Sequence, residues 1–485
     1  MTAIRRLRAP SLESLFIAVL VLLGFRLGVL PIGDNSMFTH LRTGIDMVSG
    51  AGIPRRDPYS FTAAGAEWVV QSWLPEWTYG WLHRLGDFHW VQLEQGLLFA
   101  LLAWLIARLA AAGSPLRTAL SSGLAVAIGA PFWSPRPLMV GLICMALLIT
   151  VVERRRSPWL LVPVVWLWVN SHGSFPLGLL WLGSRAVGER LDWNSWPRET
   201  LRYLGAFFAG LVLSVLNPLG AKLLLFPFRL GDKSSVFETV VEWQSPDFHR
   251  TGDRIALLFL TVAIVLMFRA RLTWRDAIPA TIFLAISLYA VRNLPVLAIV
   301  LAPVLHRILR RPDAAGPLRA PTESQLRINR ALMVCIAAAF VIFGVASLNS
   351  SPLDFEGYPV EAVAFLDRNG LLYAPHHVAH QDVVGNYIEL RHGRRAKAFI
   401  DDRVDMYTPE VSADYRKLLR GDPTSLEILE RYGVDTVLWE KSLPLASILG
   451  EDEGWQSTYR DDDWVVFQRT PSSPLPAPAV PAPAS

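Results

Sequence analysis

One polar loop after the first apolar segment holds the side chains of this chain that are best suited to chemistry. The run GDNSMFTHLRTGIDMVSGAGIPRRDPYSFT begins at Gly33 and carries Asp34, His40, Arg42 and Asp57. Ionisable groups at the mouth of a membrane helix are costly unless water, a partner or a ligand accommodates them. A plain tether between two helices needs none of these groups, so we expect the functional site in this loop.

Carboxylates combined with arginines suit group transfer from a phosphate-linked donor. A carboxylate can take the proton of an acceptor hydroxyl, and arginines can hold a phosphate while negative charge grows on it. An apolar groove between helices would hold a polyprenyl tail. The sequence contains no P-loop, dinucleotide-binding fingerprint, serine nucleophile elbow or HExxH zinc signature. Soluble nucleotide and hydrolase chemistries therefore lose support.

The composition is that of a polytopic membrane protein. The 485 residues are 52% hydrophobic and 18% charged, with a mean hydropathy of +0.33, which is too apolar for a soluble protein of this length. The arginines cluster in short loops such as 154–156, without the aromatic array that would accompany nucleic-acid binding. Cys144 and Cys335 lie in apolar segments, which excludes a disulfide framework and a cysteine metal site.

Hydropathy predicts about eleven transmembrane helices that position the polar loop. The predicted spans are 12–30, 90–110, 118–133, 137–152, 158–170, 174–187, 203–217, 254–268, 275–291, 293–308 and 330–348. Several are shorter than the ~20 residues that cross a bilayer, so some are expected to be broken or re-entrant. Arg5, Arg6 and Arg8 precede the first span and no small-residue cleavage site follows it, which predicts an uncleaved helix with a cytoplasmic N-terminus.

The charge distribution predicts the orientation of the chain. Arginines fill the even-numbered turns and are sparse on the opposite side, so the positive-inside rule places the even turns in the cytoplasm. We therefore predict a transmembrane domain over 1–348, with a large extracytoplasmic loop at 31–89. Everything after residue 348 would lie outside the cytoplasm.

The segment 349–470 is less hydrophobic than the preceding spans, and its residue patterns predict a small extracytoplasmic α/β domain. The alternating runs AKAFIDD and VDTVLWE indicate strands, while VEAVAFLDRNG and SLEILERYGV carry helical patterns. The Pro/Ala-rich tail 471–485 is predicted to be disordered.

With this orientation, most polar groups near helix ends fall on the extracytoplasmic face. Besides the first-loop acids Asp34 and Asp57, the candidate substrate-binding residues on this face are His40, Arg42, Arg136, His172, Glu242, Asp247, His249 and Arg292. We expect six residues to line one cavity that opens to the outer leaflet: Asp34, Asp57, Arg136, His172, Glu242 and Arg292.

The first-loop candidates and His172 also have ordinary structural explanations. Asp34 could cap a helix that starts near Ser36, and Asp57 could organise a turn before its proline. His40 could be an interfacial residue. The run Asn-Ser-His-Gly around His172 could be a tight turn.

The remaining candidates leave two further alternatives open. Arg136 and Arg292 could anchor lipid phosphates at the interface. Glu242, Asp247 and His249 resemble a loose metal-binding set with irregular spacing, for which an oxygen-rich site would favour Mg²⁺ or Mn²⁺.

These residues resemble a bacterial family of polytopic proteins described as membrane glycosyltransferases of the GT-C superfamily. The resemblance lies in GDNSMFTHLRTG, IPRRDPYSFT and WLPEW, and continues through SPRPLMVGL, WVNSHGSFPLGLL, LNPLGAKLLLFP, EWQSPDFH and VRNLPVLAIVLAP. YGVDTVLWE and DDRVDMY resemble the C-terminal portion of that family. The resemblance covers most of the chain.

The resemblance implies a chemistry and roles for individual residues. GT-C enzymes, which include oligosaccharyltransferase catalytic subunits and protein O-mannosyltransferases, carry an acid in the first extracytoplasmic loop. They transfer sugar from a polyprenyl-phosphate or polyprenyl-diphosphate donor with inversion. By resemblance, Asp34 is the base or a metal ligand, Asp57 the second acid and Arg292 a phosphate contact. Asn35 stands where many members have a second, adjacent acid, which weakens the case for a divalent metal.

Three functions remain open from the sequence. The first is a glycosyltransferase of the bacterial plasma membrane, with a lipid-linked sugar donor, membrane lipids and a glycan, lipid or protein acceptor as partners. The second is a transporter or flippase for a lipid-linked glycan, which would place ionisable groups near the bilayer midplane. The third is a non-catalytic envelope assembly protein that retains the fold, for which Asp34 and Asp57 would be dispensable.

Overall fold

A computed structural model of the chain describes residues 10–231, 241–310, 322–403 and 405–470. The basic residues Arg5, Arg6 and Arg8 and the tail 471–485 lie outside the described residues. The expected helical architecture with a small C-terminal α/β element is confirmed.

The described helices up to residue 348 include one at each predicted apolar segment, and the helices Asn35–Asp46 and Lys222–Gly231 lie outside these segments. In chain order they are α1 Leu12–Gly28, α2 Asn35–Asp46, α3 Trp73–Ala110, α4 Pro115–Gly129, α5 Leu138–Glu153, α6 Leu161–Val169, α7 Pro176–Trp193, α8 Arg198–Leu213, α9 Lys222–Gly231, α10 Thr251–Arg269, α11 Trp274–Tyr289, α12 Leu294–Leu309 and α13 Glu323–Leu348. A helix is found at each predicted span, because a run of apolar residues in lipid must satisfy its backbone internally.

Four of the described helical stretches are long and apolar enough to cross a membrane. They are Trp73–Ala110, Thr251–Arg269, Val291–Leu309 and Glu323–Leu348. Leu138–Glu153 and Pro158–Val169 are shorter apolar helical stretches. The number of helices that cross the bilayer stays a prediction.

The segment 31–89 contains α2 and the first part of α3, and its position outside the cytoplasm stays a prediction. Helix α3 begins at Trp73, and Pro75 lies in its first turn, where a proline costs no hydrogen bond. The helix is interrupted at Gly86 and Asp87, whose backbone is non-helical. The polar residues of this stretch resemble a loop in hydropathy although they occupy a helix.

The chain divides into two compact units. The first, here called the helical unit, comprises the described residues of 10–32, 85–227 and 241–352. The second, here called the α/β unit, comprises 33–84, 228–231 and the described residues from 353 to 470. The first polar loop therefore belongs to the same unit as the C-terminal segment.

Within the helical unit, helices pack closely where glycines remove side-chain bulk. Helix α4 packs on α12, α6 on α8 and α7 on α11. A Cβ at Gly188 of α7 would lie 2.3 Å from the carbonyl oxygen of Trp274, the first residue of α11. Only glycine permits this backbone approach.

An ionic network joins four helices of this unit. Glu153 of α5 accepts from Arg185 of α7 at 2.5 Å and from Arg307 of α12 at 2.7 Å. Arg307 also pairs with Asp276 of α11 at 2.5 Å. Arginines that the charge pattern assigns to cytoplasmic turns are therefore also cross-links between helices.

The C-terminal segment of the α/β unit forms a four-stranded sheet with helices against it. The strands are β1 Val378–His380, β2 Thr436–Glu440, β3 Trp455–Arg460 and β4 Trp464–Arg469, in the order β1-β2-β4-β3. β1 and β2 are parallel, while β2–β4 and β3–β4 are antiparallel. The helices are α14 Val360–Arg368, α15 Asp382–His392, α16 Pro409–Arg420, α17 Ser425–Arg431 and α18 Pro444–Glu451.

Three of the four pattern-based predictions in this segment are confirmed. VDTVLWE contains β2, and the two helical patterns contain α14 and α17. The prediction that AKAFIDD is a strand of the sheet is wrong. This run is extended and bonds to the first loop instead: Ala398 N donates to Tyr59 O at 2.9 Å, and Phe61 N donates to Ala398 O at 3.0 Å.

Candidate functional site

Asp34 lies at the amino end of α2 and caps it. The backbone N–H of Met37 donates to Asp34 Oδ1 at 3.3 Å, which is the N-cap arrangement that aspartate favours. The Asp34 side chain is half-buried rather than enclosed. The helix start near Ser36 that the sequence suggested is therefore present, and the cap leaves the carboxylate partly exposed.

Asp402 holds the first turn of α2 in place. Its carboxylate accepts hydrogen bonds from the Ser36 hydroxyl and from the Asn386 amide. The same amide donates to the carbonyl of Asn35 at 3.0 Å, and Asp402 N donates to Asn386 Oδ1 at 3.1 Å. Helix α15, which carries Asn386, thus packs on the helix that starts beside Asp34.

Tyr358 shows that the neighbourhood of Asp34 is acidic. Its hydroxyl donates to the carbonyl of Gly33 at 3.4 Å. Burial raises the pKa of the Tyr358 phenol, and the charges of Asp34, Asp402 and Asp354 raise it further. Negative charge therefore converges on the start of α2 from both the first loop and the C-terminal segment.

Asp57 is buried and fully engaged. Its Oδ1 accepts from Tyr59 N at 3.1 Å, and its Oδ2 accepts from Ser60 N at 3.0 Å and from the Ser60 hydroxyl. Arg403 Nη1 donates to Oδ1 at 2.8 Å, and the Asp57 side chain is 0% exposed. The predicted turn is present, and a buried guanidinium neutralises its carboxylate.

Arg403 joins the first loop to the C-terminal segment through three carboxylates. Besides Asp57, it donates from Nε and Nη2 to the two oxygens of Asp401 at 3.0 and 2.6 Å. Its Nη2 also lies 3.4 Å from Glu389 Oε1. Thr39 donates to Glu389 Oε2 at 2.7 Å, and the Tyr407 hydroxyl donates to Asp401 Oδ2 at 2.6 Å.

Two aromatic rings pack against Arg403, and the pKa values of the two neighbouring carboxyls shift in opposite directions. The Arg403 guanidinium lies 5.2 Å from the ring centroid of Tyr59 and 4.6 Å from that of Trp68. Burial alone would raise the pKa of Asp401, but Arg403 overrides burial and lowers it to about 2. Burial and the charge of Asp401 raise the pKa of Glu389 well above its usual range. Arg403 thus favours the charged form of Asp401, whereas burial favours the protonated form of Glu389.

The sequence predictions did not include Glu389, Asp401 or Arg403. A signal was present, because the charged run DDR follows the apolar run AFI directly, and charges next to a buried segment need partners. What could not be read from the sequence is that one of those partners is Asp57, more than three hundred residues earlier.

The two basic first-loop candidates make contacts on opposite sides of α2. His40 Nδ1 lies 2.6 Å from Glu76 Oε1. Arg42 Nη2 pairs with Asp46 Oδ1 at 2.6 Å, and Asp46 Oδ2 also accepts from Arg394 Nε at 2.9 Å. Both residues are therefore placed by carboxylates of their own unit.

The helical unit brings Arg136, Glu242 and Arg292 together. Arg136 donates from Nε to the Ser134 hydroxyl at 2.7 Å, and it forms an ion pair through Nη2 with Glu242. Arg292 lies with its guanidinium 4.3 Å from the ring centroid of Trp243. Two guanidinium groups from separate turns are thus presented beside one carboxylate and one indole.

His172, Asp247 and His249 have other surroundings. His172 Nδ1 accepts from Ser174 N at 3.2 Å in the turn after α6, as the tight-turn alternative expects. Asp247 and His249 pair at 3.0 Å, with the His249 side chain 99% exposed. Hydrogen bonds from His249 lower the pKa of Asp247.

The loose metal set is not assembled. In the part of the chain that the structure describes, no group of three or more His, Cys, Asp or Glu side chains is arranged to hold a metal ion. Glu242 is instead paired with Arg136, and Asp247 with His249.

The six residues expected in one cavity are divided between the two units. Asp34 and Asp57 belong to the α/β unit, whereas Arg136, His172, Glu242 and Arg292 belong to the helical unit. Their common cavity stays a prediction.

The fold resembles that of a solved membrane protein, ArnT from Cupriavidus metallidurans, a GT-C glycosyltransferase. The crystal structure of ArnT in the apo state aligns with 94% of this chain and 98% of its own, at 14% sequence identity and a TM-score of 0.50. The structure of ArnT bound to undecaprenyl phosphate aligns over the same shares, at 13% identity and a TM-score of 0.42. No protein-family model and no curated protein matches the sequence. At this identity the likeness to the apo structure shows a shared fold alone.

Proposed function

We propose that this chain is a membrane glycosyltransferase that moves a sugar from a polyprenyl-phosphate-type donor to an acceptor hydroxyl outside the cytoplasm. The observation that carries the proposal is a partly exposed first-loop carboxylate, Asp34, fixed at a helix start in a GT-C-like fold. The fold is shared with a GT-C glycosyltransferase. Because folds host unrelated activities, the proposal depends on the site and not on the fold alone.

Asp34 would act as the base. Its carboxylate takes the proton of the acceptor hydroxyl, and the acceptor oxygen forms a bond to the anomeric carbon of the sugar. The bond from that carbon to the phosphate oxygen breaks, and polyprenyl phosphate leaves with the electron pair. A single displacement of this kind inverts the anomeric centre. The N-cap contact orients the carboxylate without enclosing it.

Asp57 would position the loop rather than take part in the chemistry. Its side chain is 0% exposed, and both oxygens accept hydrogen bonds from the loop backbone or from Arg403. A carboxylate enclosed by its own loop and by a buried guanidinium cannot reach an acceptor hydroxyl. Removing one partner of such a pair leaves an uncompensated buried charge.

Arg136 and Arg292 would hold the donor phosphate. Guanidinium groups match phosphate oxygens in geometry and charge, and the ring of Trp243 supports the planar group of Arg292. Glu242 keeps Arg136 oriented before the donor binds. We assign His40, Arg42 and His172 no contact with the donor or the acceptor in this reaction, because each is engaged by a neighbouring group of the chain.

The proposal is tested by separating the two roles of Asp34. Asn and Ser cap a helix about as well as Asp, so Asp34→Asn and Asp34→Ser keep the start of α2 and remove the base. Glu356→Gln is the matched control, because Glu356 is an exposed carboxylate of the same unit. Each variant replaces the wild-type gene in its own host at equal protein level, and extracytoplasmic glycans are profiled by mass spectrometry.

Loss of a general base lowers the rate by about 10²–10⁴-fold. We therefore expect both Asp34 variants to lose the product glycan while Glu356→Gln retains it. Full product formation by Asp34→Asn and Asp34→Ser would show that Asp34 is only a helix cap, and the proposed mechanism would fail.

A further inference from the structure

A strongly basic cavity lies in the α/β unit, between α2 and the carboxyl end of α15. Its volume is about 290 Å³. The charged and titratable side chains that line it are Arg42, Asp46, Arg391, His392, Arg394 and Arg395. We propose that this cavity binds the phosphate group of an anionic ligand, independently of the glycosyltransferase reaction proposed above.

The charges of the lining do not cancel. Asp46 is its one carboxylate, and it is already shared between Arg42 at 2.6 Å and Arg394 at 2.9 Å. Arg391 and Arg395 form no ion pair with any described residue. An excess of guanidinium groups that converge on a concave surface attracts an anion.

Arg42 carries a buried donor that the described residues leave unsatisfied. Its Nε is buried and has no hydrogen-bond partner, although an unsatisfied buried donor costs about 1–3 kcal/mol. Gly393 lies directly against this guanidinium: a Cβ there would be 2.4 Å from Arg42 Cζ, and Gly393 has a φ of +58°. The glycine makes the room in which the guanidinium lies, and an anion would supply the missing acceptor.

The pKa of His392 shows that three arginines lie close enough to affect the same side chain. Burial lowers the pKa of the His392 imidazole, and Arg395, Arg391 and Arg42 lower it further against the opposing charge of Asp367. The Tyr373 hydroxyl lies 3.2 Å from His392 Nδ1. Three arginines from two helices and the following turn thus contribute to one local potential, which a bound anion would offset.

The size of the cavity and its hydrogen-bond donors indicate the chemical class of the ligand that it would bind. Ligand pockets commonly measure about 300–1,000 Å³, so this cavity suits a small group rather than a whole glycan or a lipid tail. Arginine forks match phosphate oxygens bidentately and bind them more strongly than neutral donors do. The phosphate could come from a soluble phosphorylated compound or from a lipid headgroup, and the two sources present the same chemistry to the site.

The test uses the full-length protein, purified in a neutral detergent. Inorganic pyrophosphate is titrated by calorimetry as the soluble probe, and dihexanoyl phosphatidic acid as the headgroup probe. The test variant is Arg391→Gln with Arg395→Gln, two exposed residues that form no ion pair with any described residue. The control is Arg368→Gln with Arg420→Gln, which removes the same charge from exposed positions of the same unit outside the cavity.

We expect saturable binding of at least one probe by the wild-type protein, weakened tenfold or more in the test variant and unchanged in the control. Tighter binding of pyrophosphate assigns the site to soluble phosphates, and tighter binding of phosphatidic acid assigns it to headgroups. The proposal is overturned if neither probe binds saturably, or if the control loses as much affinity as the test variant. Either result leaves the Asp34 experiment unaffected.

Discussion

Replacing a carboxyl by an amide at two neighbouring buried positions should have very different effects on stability. Asp401 and Glu389 both contact Arg403 and share a side-chain hydrogen bond. Because the pKa of Asp401 is lowered and that of Glu389 is raised, we expect the negative charge on Asp401 and the proton on Glu389. We therefore predict that Asp401→Asn strongly destabilises the α/β unit, whereas Glu389→Gln leaves its stability nearly unchanged.

The magnitude follows from the geometry and from the pKa of Asp401. A fall from 3.8 to about 2 corresponds to roughly 2 kcal/mol, since one pKa unit is worth about 1.36 kcal/mol. In Asp401→Asn, the amide N–H would also face the donors of Arg403 or Tyr407, so a hydrogen bond of the wild type would be lost. Gln at Glu389 reproduces a protonated carboxyl, because it retains one acceptor for Thr39 and one donor for Asp401.

The assay compares the apparent melting midpoints of full-length variants in the same detergent. Limited proteolysis after each heating step identifies opening of the first loop. For a unit of this size, about 1 kcal/mol shifts the midpoint by roughly 2–4 °C, so Asp401→Asn should lower it by about 4–8 °C. Glu389→Gln should stay within about 2 °C of the wild type. Equal losses in the two variants would show that both carboxyls are ionised, and the charge assignment would be wrong.

Three further predictions follow from individual contacts. Because the pKa of Asp401 is lowered in the folded protein, its carboxylate stabilises the fold at pH values above the pKa that it has in the unfolded chain. This stabilisation is lost as the pH falls through the folded-state pKa of about 2. Between pH 4 and pH 2, the apparent melting midpoint of the wild type should therefore fall by more than that of Asp401→Asn. In size-exclusion chromatography, Gly44→Ala should give no monodisperse peak, since a Cβ there would lie 2.0 Å from the carbonyl oxygen of Glu76. Gly450→Ala, which adds a Cβ in open space, should elute as the wild type does. Arg292→Lys should raise the KM for the lipid-linked donor about tenfold or more, and an unchanged KM would remove Arg292 from the proposed donor site.

Local patterns predicted much of the secondary structure. Apolar runs located a helix at each predicted span, and the periodicities of 360–370 and 425–434 located α14 and α17. The prediction was wrong where an element depends on a distant partner. AKAFIDD alternates as a strand does, but Ala398 pairs with the first loop rather than with the sheet. Periodicity reports which faces are buried and does not report what covers them.

The sequence predicted the location of the candidate site better than the roles of its residues. The sequence directed attention to the first loop and to Asp34, because ionisable groups beside an apolar helix stand out by composition. Composition and spacing could not separate Asp34 from Asp57, since both are aspartates in polar turns, and only the family resemblance singled out Asp34 as the base. Their difference lies in the surroundings: Asp34 remains partly exposed, and Asp57 is buried against Arg403.

The sequence by itself determined the membrane class, the helix positions and the loop that carries the acids, because these depend on hydropathy and on neighbours along the chain. Tertiary structure alone decided which buried carboxyl has its pKa lowered, which has it raised and which arginines surround a cavity. Those properties depend on burial and on charges brought together from segments more than three hundred residues apart, such as Asp57 and Arg403. Desolvation and Coulomb interaction act through space, so no local pattern of residues encodes them.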